Sequence, residues 1–257
     1  EGTRVAEEMT RWGVTCFVLK YRLAHSLTTD PVGEVMGKWG KKEFDDENNA
    51  VIPLAVADGR NAIAYVRSHA AEYGINPKKI GMMGFSAGGT VTASCAFNYT
   101  TSNQPDFIAP IYPYFTPQMV PPIPADAPPM FIAAATDDGL QLAPHSVNLY
   151  QQWLNTKHPA ELHMYSTGNH GFGMRVQRLP SDTWIDRFGD WLKVNGYLKL
   201  LHPPEWMKGL SDAQIGDAQK ERERKARGDW GNLAKYKEAN DKACIQNGAN
   251  IEGMRRI

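Results

Sequence analysis

The stretch KIGMMGFSAGGT, Lys79 to Thr90, sets Ser86 between Gly84 and Gly88 directly after an apolar run. A serine hydroxyl becomes a nucleophile only when a base takes its proton and a carboxylate orients that base. A G-x-S-x-G pattern by itself is a weak signal, so its context decides. Here the pattern ends an apolar strand signal and opens a helix signal. That setting predicts a sharp turn that lifts the serine oxygen above a sheet. Gly84 and Gly88 would allow close backbone approach, and the following helix would aim its first amides at developing negative charge. The Ala87 amide, immediately after the serine, is the expected oxyanion donor.

A strand-turn-helix serine of this kind takes its acid and its base, in that chain order, from loops after later strands. The segment AAATDDGL offers Asp137 and Asp138, and YSTGNHGFG offers His170. Both fall where strand patterns end, the edge at which α/β sites gather. Of the other histidines, His163 lies within a strand pattern and His145 on a helix pattern, which suits packing or solvent exposure. His25, His69, His158 and His202 lack a strand-terminal setting. His170 is therefore the expected base. Position alone leaves the two aspartates open, since they share one loop.

The elements that must position these groups follow from periodicity. Five short apolar runs rich in β-branched and aromatic residues read as buried strands: VTCFVLKY near Val14, KIGMMGF near Ile80, DFIAPIY near Phe107, PMFIAAAT near Met130 and ELHMYS near Leu162. Helical patterns occupy Ala57–Gly74, GGTVTASCAFNY after the serine, APHSVNLYQQWLNT, and SDTWIDRFGDWLKVNG with Ser181 as N-cap and Gly196 as C-cap. The opening EGTRVAEEMTRWG reads as an amphipathic helix with Val5, Met9 and Trp12 on one face. This alternation predicts an α/β domain, a mainly parallel sheet with helices on both faces. Residues from about His25 to Asn49 show no period and read as a long surface loop. The charged stretch from about Ser211 reads as a solvated linker helix.

Composition narrows the partner. Lys and Arg (28) balance Asp and Glu (28), so no basic field suggests nucleic acid. No apolar run reaches the ~18 residues of a membrane span. Cys16, Cys95 and Cys244 are too few and scattered for a disulfide framework, and read as free thiols. No metal-ligand spacing, P-loop or dinucleotide fingerprint occurs, so no cofactor is implied. A small or neutral substrate fits best.

Taken together, VADGRNAIAYVRSHAAEYGINPKKIGMMGFSAGG, AAATDDGLQLAPHSVNLYQQW, NHGFGMR and LPSDTWIDRFGDWL resemble α/β-hydrolase esterases of the acetylxylan esterase type, over roughly Glu1 to Tyr197. The resemblance implies a serine carboxylesterase that removes acetyl, and in a second acyl class feruloyl, groups from plant cell-wall hemicellulose such as xylan. It implies a secreted or periplasmic location, and carries Ser86, Asp138 and His170 over as nucleophile, acid and base. Asp138 is preferred because Gly139 and Leu140 follow it in the manner of esterase acid loops, leaving Asp137 as a capping or supporting group. Trp39, Tyr112 and Tyr114 are expected near the rim, where they could stack on sugar or feruloyl rings. In the family, three strands precede the helix that opens this chain. A glycine-rich loop after the third supplies another oxyanion donor, and no such loop is found here. The expectation is therefore an N-terminally truncated esterase domain at 1–203, followed by a charged helical linker at 204–257. The segment GDWGNLAKYKEAND within that linker faintly resembles the lead-in to a second, G-D-S-type esterase domain. Two alternatives share the strand-turn-helix: a prolyl oligopeptidase-like serine peptidase, and a non-catalytic carbohydrate-binding fragment of the same fold.

Overall fold

The computed structural model describes residues 1–198 together with positions 211, 214 and 217. Everything reported below lies in the unit Glu1–Lys199. Four strands, β1 (Gly81–Phe85), β2 (Phe107–Ile111), β3 (Met130–Ala135) and β4 (Ala160–Tyr165), pair in sequential order. All three pairings are parallel, with Met82 opposite Ile108 and Phe131 opposite Glu161. Every residue of β2 and β3 is buried, which is why they read as continuous apolar runs and not as alternating ones.

Helices cover both faces because alternate strand residues point to opposite sides. On one face Phe107, Ile111, Phe131 and Ala133 pack with Val5 and Met9 of α1 (Gly2–Arg11). The same cluster takes Trp184, Phe188, Trp191 and Leu192 from α6 (Trp184–Val194). On the other face Ile108, Met130 and Ile132 meet Ala93 of α4 (Ala87–Ser94) and Leu149 and Trp153 of α5 (Ala143–Asn155). A third patch joins α4 to α3 (Lys42–Ser68) through Val56, Ile63, Val91 and Cys95. The buried indoles keep hydrogen-bond partners: Trp153 donates to the Pro128 carbonyl at 2.9 Å and Trp184 to that of Gly173 at 2.7 Å.

Several expectations need correction. The run from Val14 to Tyr21 forms no sheet ladder. A strand exists only if its amides and carbonyls find a neighbour, and β1 is the last strand of the described sheet on that side. Val14 and Cys16 pack on the α1/α6 face, whereas Phe17 and Val18 are 47% and 57% exposed.

The expected loop at 25–49 is largely helical, forming α2 (Pro31–Lys38) and the first turns of α3. Asp30 caps α2 by accepting from the Gly33 amide at 2.9 Å, with Pro31 in the first turn. Lys38 then links the two helices, reaching Glu34 at 3.0 Å and Glu47 at 2.7 Å. Polar and ionic ties of this kind leave no apolar period to read. α3 also continues through Pro53, a residue that removes one helical donor and disguised the helix's first half.

At the other end, Ser181 sits inside a short 3-10 turn and α6 starts only at Trp184, so Ser181 is not its N-cap. Gly196 does end α6, with φ +74° and its amide donating to the Lys193 carbonyl at 3.1 Å. The linker at 204–257 and the segment from Gly228 to Asp241 lie outside the described residues.

The tie between α2 and its surroundings has a pH signature. The Lys38 ammonium, the Leu27 amide and the Ser26 hydroxyl all donate to Glu34 and lower its carboxyl pKa from 4.5 to about 2. A carboxylate depressed by folding contributes stability that is complete above its unfolded value and is lost as pH falls through its folded one. Protection factors of the α2 amides, exchange rates relative to the unfolded chain at the same pH, should therefore hold down to about pH 4.5 and fall as pH drops toward about 2. Glu34→Gln should show the lower protection already at neutral pH, and equal protection in both proteins at that pH would count against the tether.

Candidate active site

β1 delivers Ser86 to the carboxyl edge of the sheet, where the chain turns straight into α4. Ser86 has φ 51° and ψ −114°, a region that non-glycine residues rarely occupy and that stores strain. The turn is held from both sides: the Ser86 amide donates to the Ile111 carbonyl of β2 at 2.9 Å, and its carbonyl accepts from Thr90 at 3.0 Å. Gly84 is required for close approach, since a Cβ there would lie 2.2 Å from the Gly88 carbonyl oxygen. The Ala87 amide opens α4 beside the hydroxyl, at the positive end of the helix.

His170 arrives on the loop after β4. Its Nε2 stands 2.9 Å from Ser86 Oγ and its Nδ1 2.8 Å from Asp138 Oδ2. The Asp138 carboxylate is fully buried, and its other oxygen accepts from the Leu140 amide at 2.8 Å. A buried carboxylate with both oxygens engaged can hold the imidazole in one tautomer and support its charged form. Serine, histidine and Asp138 are thus in line, although 84 residues separate the first two in sequence.

Asp137 has a different task. Its Oδ1 accepts from the amides of Gly168 and Asn169 at 2.9 and 2.7 Å. Asn169 answers in the other direction, its Oδ1 accepting from Gly139 at 2.9 Å and from the His170 amide at 2.6 Å. The acid loop and the histidine loop therefore lock each other. Sequence reasoning missed Asn169. The available signal was an asparagine between Gly168 and His170 in a glycine-rich loop, because asparagine tolerates the left-handed region it occupies at φ 58°.

The aromatic residues divide. Tyr112 is 1% exposed, so it belongs to the floor and not to the rim. Its ring stands edge-on to His170 at 5.0 Å, and its hydroxyl donates to Glu1 at 3.1 Å. Burial, joined by the Glu1 charge, pushes its pKa well up. Trp39 and Tyr114 are half-buried, 5.9 Å apart, and Tyr114 also lies 6.0 Å from Phe44 and 5.5 Å from His145. His145 Nδ1 accepts from the Phe115 amide at 3.2 Å. Burial lowers the His145 pKa against the pull of the Asp138 charge, which matches this acceptor role.

Comparison with known proteins gives a consistent picture. A family model described as BD-FAE matches residues 42–119. The chain is 25% identical over 223 residues to an acetylxylan esterase of Xylanibacter ruminicola, covering 75% of this chain and 42% of that protein. It therefore spans less than half the length of this relative. Among solved structures, esterase 2 of Thermogutta terrifontis, phosphorylated by paraoxon, matches with TM-score 0.52 and 25% identity over 58% of this chain and 66% of that one. A carboxylesterase from Lactobacillus plantarum matches with TM-score 0.60 and 19% identity over 78% and 81% of the two chains. The fold is that of the α/β-hydrolases.

The two aspartates should separate by experiment. Asp137→Ala leaves the Gly168 and Asn169 amides without their charged acceptor, at a cost of about 2–3 kcal/mol. Amide exchange at 168–170 should accelerate in that variant. Asp138→Asn should leave the loop-to-loop bonds and their exchange nearly unchanged. Gly84→Ala should lower stability by about 2–3 kcal/mol in urea unfolding, as overpacking against backbone does; a wild-type midpoint would refute the close-approach argument.

Proposed function

We propose that this protein is a serine carboxylesterase that removes acetyl groups, with feruloyl as a second acyl class, from hemicellulose such as xylan, in a secreted or periplasmic setting. The observation that carries the reading is the unbroken relay Ser86 Oγ, His170 Nε2, His170 Nδ1 and Asp138 Oδ2, with steps of 2.9 and 2.8 Å. The likeness to an acetylxylan esterase supports a sugar ester as substrate.

In this reading His170 takes the Ser86 proton as Oγ attacks the ester carbonyl. The Ala87 amide receives the negative oxygen of the tetrahedral intermediate, where a single positioned donor is worth roughly 100- to 1000-fold in turnover. His170 then protonates the departing sugar alkoxide and leaves an acetyl-serine. Water, deprotonated by the same nitrogen, attacks that acyl-enzyme, and acetate leaves as Ser86 regains its proton. Asp138 stays ionised throughout and balances the imidazolium that forms twice per cycle.

Hydrolysis of p-nitrophenyl acetate and acetate release from acetylated xylo-oligosaccharides test this directly. Ser86→Ala should lose about 10⁴-fold or more in kcat, since the acyl-enzyme cannot form. An organophosphate should add one phosphoryl group, located on Ser86 by mass spectrometry. Turnover that survives Ser86→Ala would exclude the mechanism, and turnover of the nitrophenyl ester without acetate release from the oligosaccharides would exclude the substrate class.

A further inference from the structure

The relay holds the His170 imidazole by its two nitrogens, one bonded to Ser86 Oγ and the other to Asp138. Acylation removes the first of these ties. An ester oxygen on Ser86 has no proton to donate, so Nε2 must wait for a water while the Asp138 bond alone holds the ring. The bonds from Asp137 and Asn169 fix the backbone of the histidine loop and leave the swing of the side chain free. What stands against that swing is Tyr112.

The peptide between Ile111 and Tyr112 is fixed on both sides: its carbonyl accepts from the Ser86 amide at 2.9 Å, and its amide donates to the Ala133 carbonyl at 2.8 Å. Tyr112 then takes φ 37°, where a bulky side chain is an outlier that persists only if its surroundings over-determine it. The turn sets the ring among the neighbours of both catalytic groups. Its centroid lies 5.0 Å from that of His170, 5.9 Å from that of Phe85, which precedes the nucleophile, and 4.7 Å from that of Phe172, which follows the base. The Tyr112 and His170 planes meet at 66°, an edge-to-face packing that opposes tilting of the imidazole. The far end of the phenol is anchored as well, donating to Glu1 at 3.1 Å. Gly173 leaves room for that carboxylate, since a Cβ on it would overlap Glu1. Strain at a 1% exposed ring in contact with the base points to function.

We propose that Tyr112 is a positioning residue for the base, whose ring holds the His170 imidazole in line during the acyl-enzyme stage, when Ser86 no longer tethers it. This rests on the esterase reading above. In deacylation a water gives a proton to Nε2 as its oxygen bonds to the acyl carbon. The tetrahedral intermediate then breaks its bond to Ser86 Oγ, which takes that proton back, and acetic acid leaves to ionise in solvent. Acylation begins with both relay bonds made and needs the wall less. A misplacement of about 1 Å is enough to cost about 100-fold in rate, so loss of the ring falls mainly on the second half of the cycle.

The test compares wild type, Tyr112→Leu, Tyr112→Phe and Ser86→Ala with p-nitrophenyl acetate. Tyr112→Leu should lower kcat by about 100-fold and kcat/KM by less than about tenfold, so that KM falls. Acetylated Ser86 should accumulate in that variant, seen as a burst of nitrophenol and as an adduct in mass spectrometry. Tyr112→Phe keeps the ring and should restore most of the lost kcat. Equal losses in kcat and kcat/KM without an acyl-enzyme, wild-type kinetics in Tyr112→Leu, or a phenylalanine variant no better than the leucine one would overturn the role of Tyr112 while leaving the esterase reading standing. Ser86→Ala frees Nε2 with no change at position 112, and so decides the matter even where Tyr112→Leu does not fold. Nuclear Overhauser contacts between the His170 and Tyr112 ring protons should persist in Ser86→Ala, and their loss would overturn the role of Tyr112. Absence of Ser86-dependent turnover in the wild-type chain would overturn the esterase reading and this inference with it.

Discussion

A serine held at φ 51° carries a backbone cost of order 1–3 kcal/mol, and the arrangement of the sheet and its first helix is what sustains it. The bond from the Ser86 amide to β2 ties the turn to the neighbouring strand, and the bond from Thr90 ties it to α4. Thr90 is itself held, its hydroxyl donating to the Tyr114 carbonyl at 2.5 Å beyond β2. Strain persists here because several rigid partners over-determine the same few torsions. Its product is a hydroxyl standing clear of the sheet, next to an amide at a helix's positive end.

Around that point the chemistry depends on two loops that are long in sequence separation and short in space. The carboxylate of Asp138 is dry, fully occupied and aimed at one imidazole nitrogen, while Asp137 next door spends its charge on backbone amides. Adjacent residues of one type therefore serve different ends, one electrostatic and one architectural. Asn169 completes the lock by accepting from both loops. Below the imidazole, Tyr112 forms a buried wall, itself in the left-handed region at φ 37°. Two strained residues at the carboxyl ends of neighbouring strands mark the site in backbone terms alone.

The side of the molecule near β1 is organised by side chains where the rest is organised by ladders. Residues 14–21 have the composition of a strand but no ladder, and the Arg22–Asp58 fork secures the end of that segment on α3. The helices α2 and α3 are joined in a similar way through Lys38 and its carboxylates. Exposed ion pairs are commonly worth little. Lys38 and Glu34 are 16% and 12% exposed, however, and Glu34 accepts several hydrogen bonds besides, which makes that tie a stronger anchor than an isolated surface pair.

Sequence by itself determined the class of fold and the residues from which a relay could be built. Local signals are sufficient for that: apolar runs bury themselves, G-x-S-x-G at a strand-helix junction dictates a turn, and the order of serine, aspartates and histidine follows the strands. Position along the chain left Asp137 and Asp138 open, and the preference for Asp138 came from the resemblance of its loop to esterase acid loops. Only the tertiary structure decided what depends on partners distant along the chain. The run at Val14 had the propensity of a strand but pairs with no strand among the described residues; the stretch from Pro31 to Asn49 lacked an apolar period and became helix through caps and ion pairs. Tyr112 went to the floor of the site because its burial is set by His170, Phe172 and the opening residue of the chain, none adjacent to it in sequence. Propensity and spacing act over a few residues, whereas hydrogen-bond completion and burial are settled only when remote segments meet.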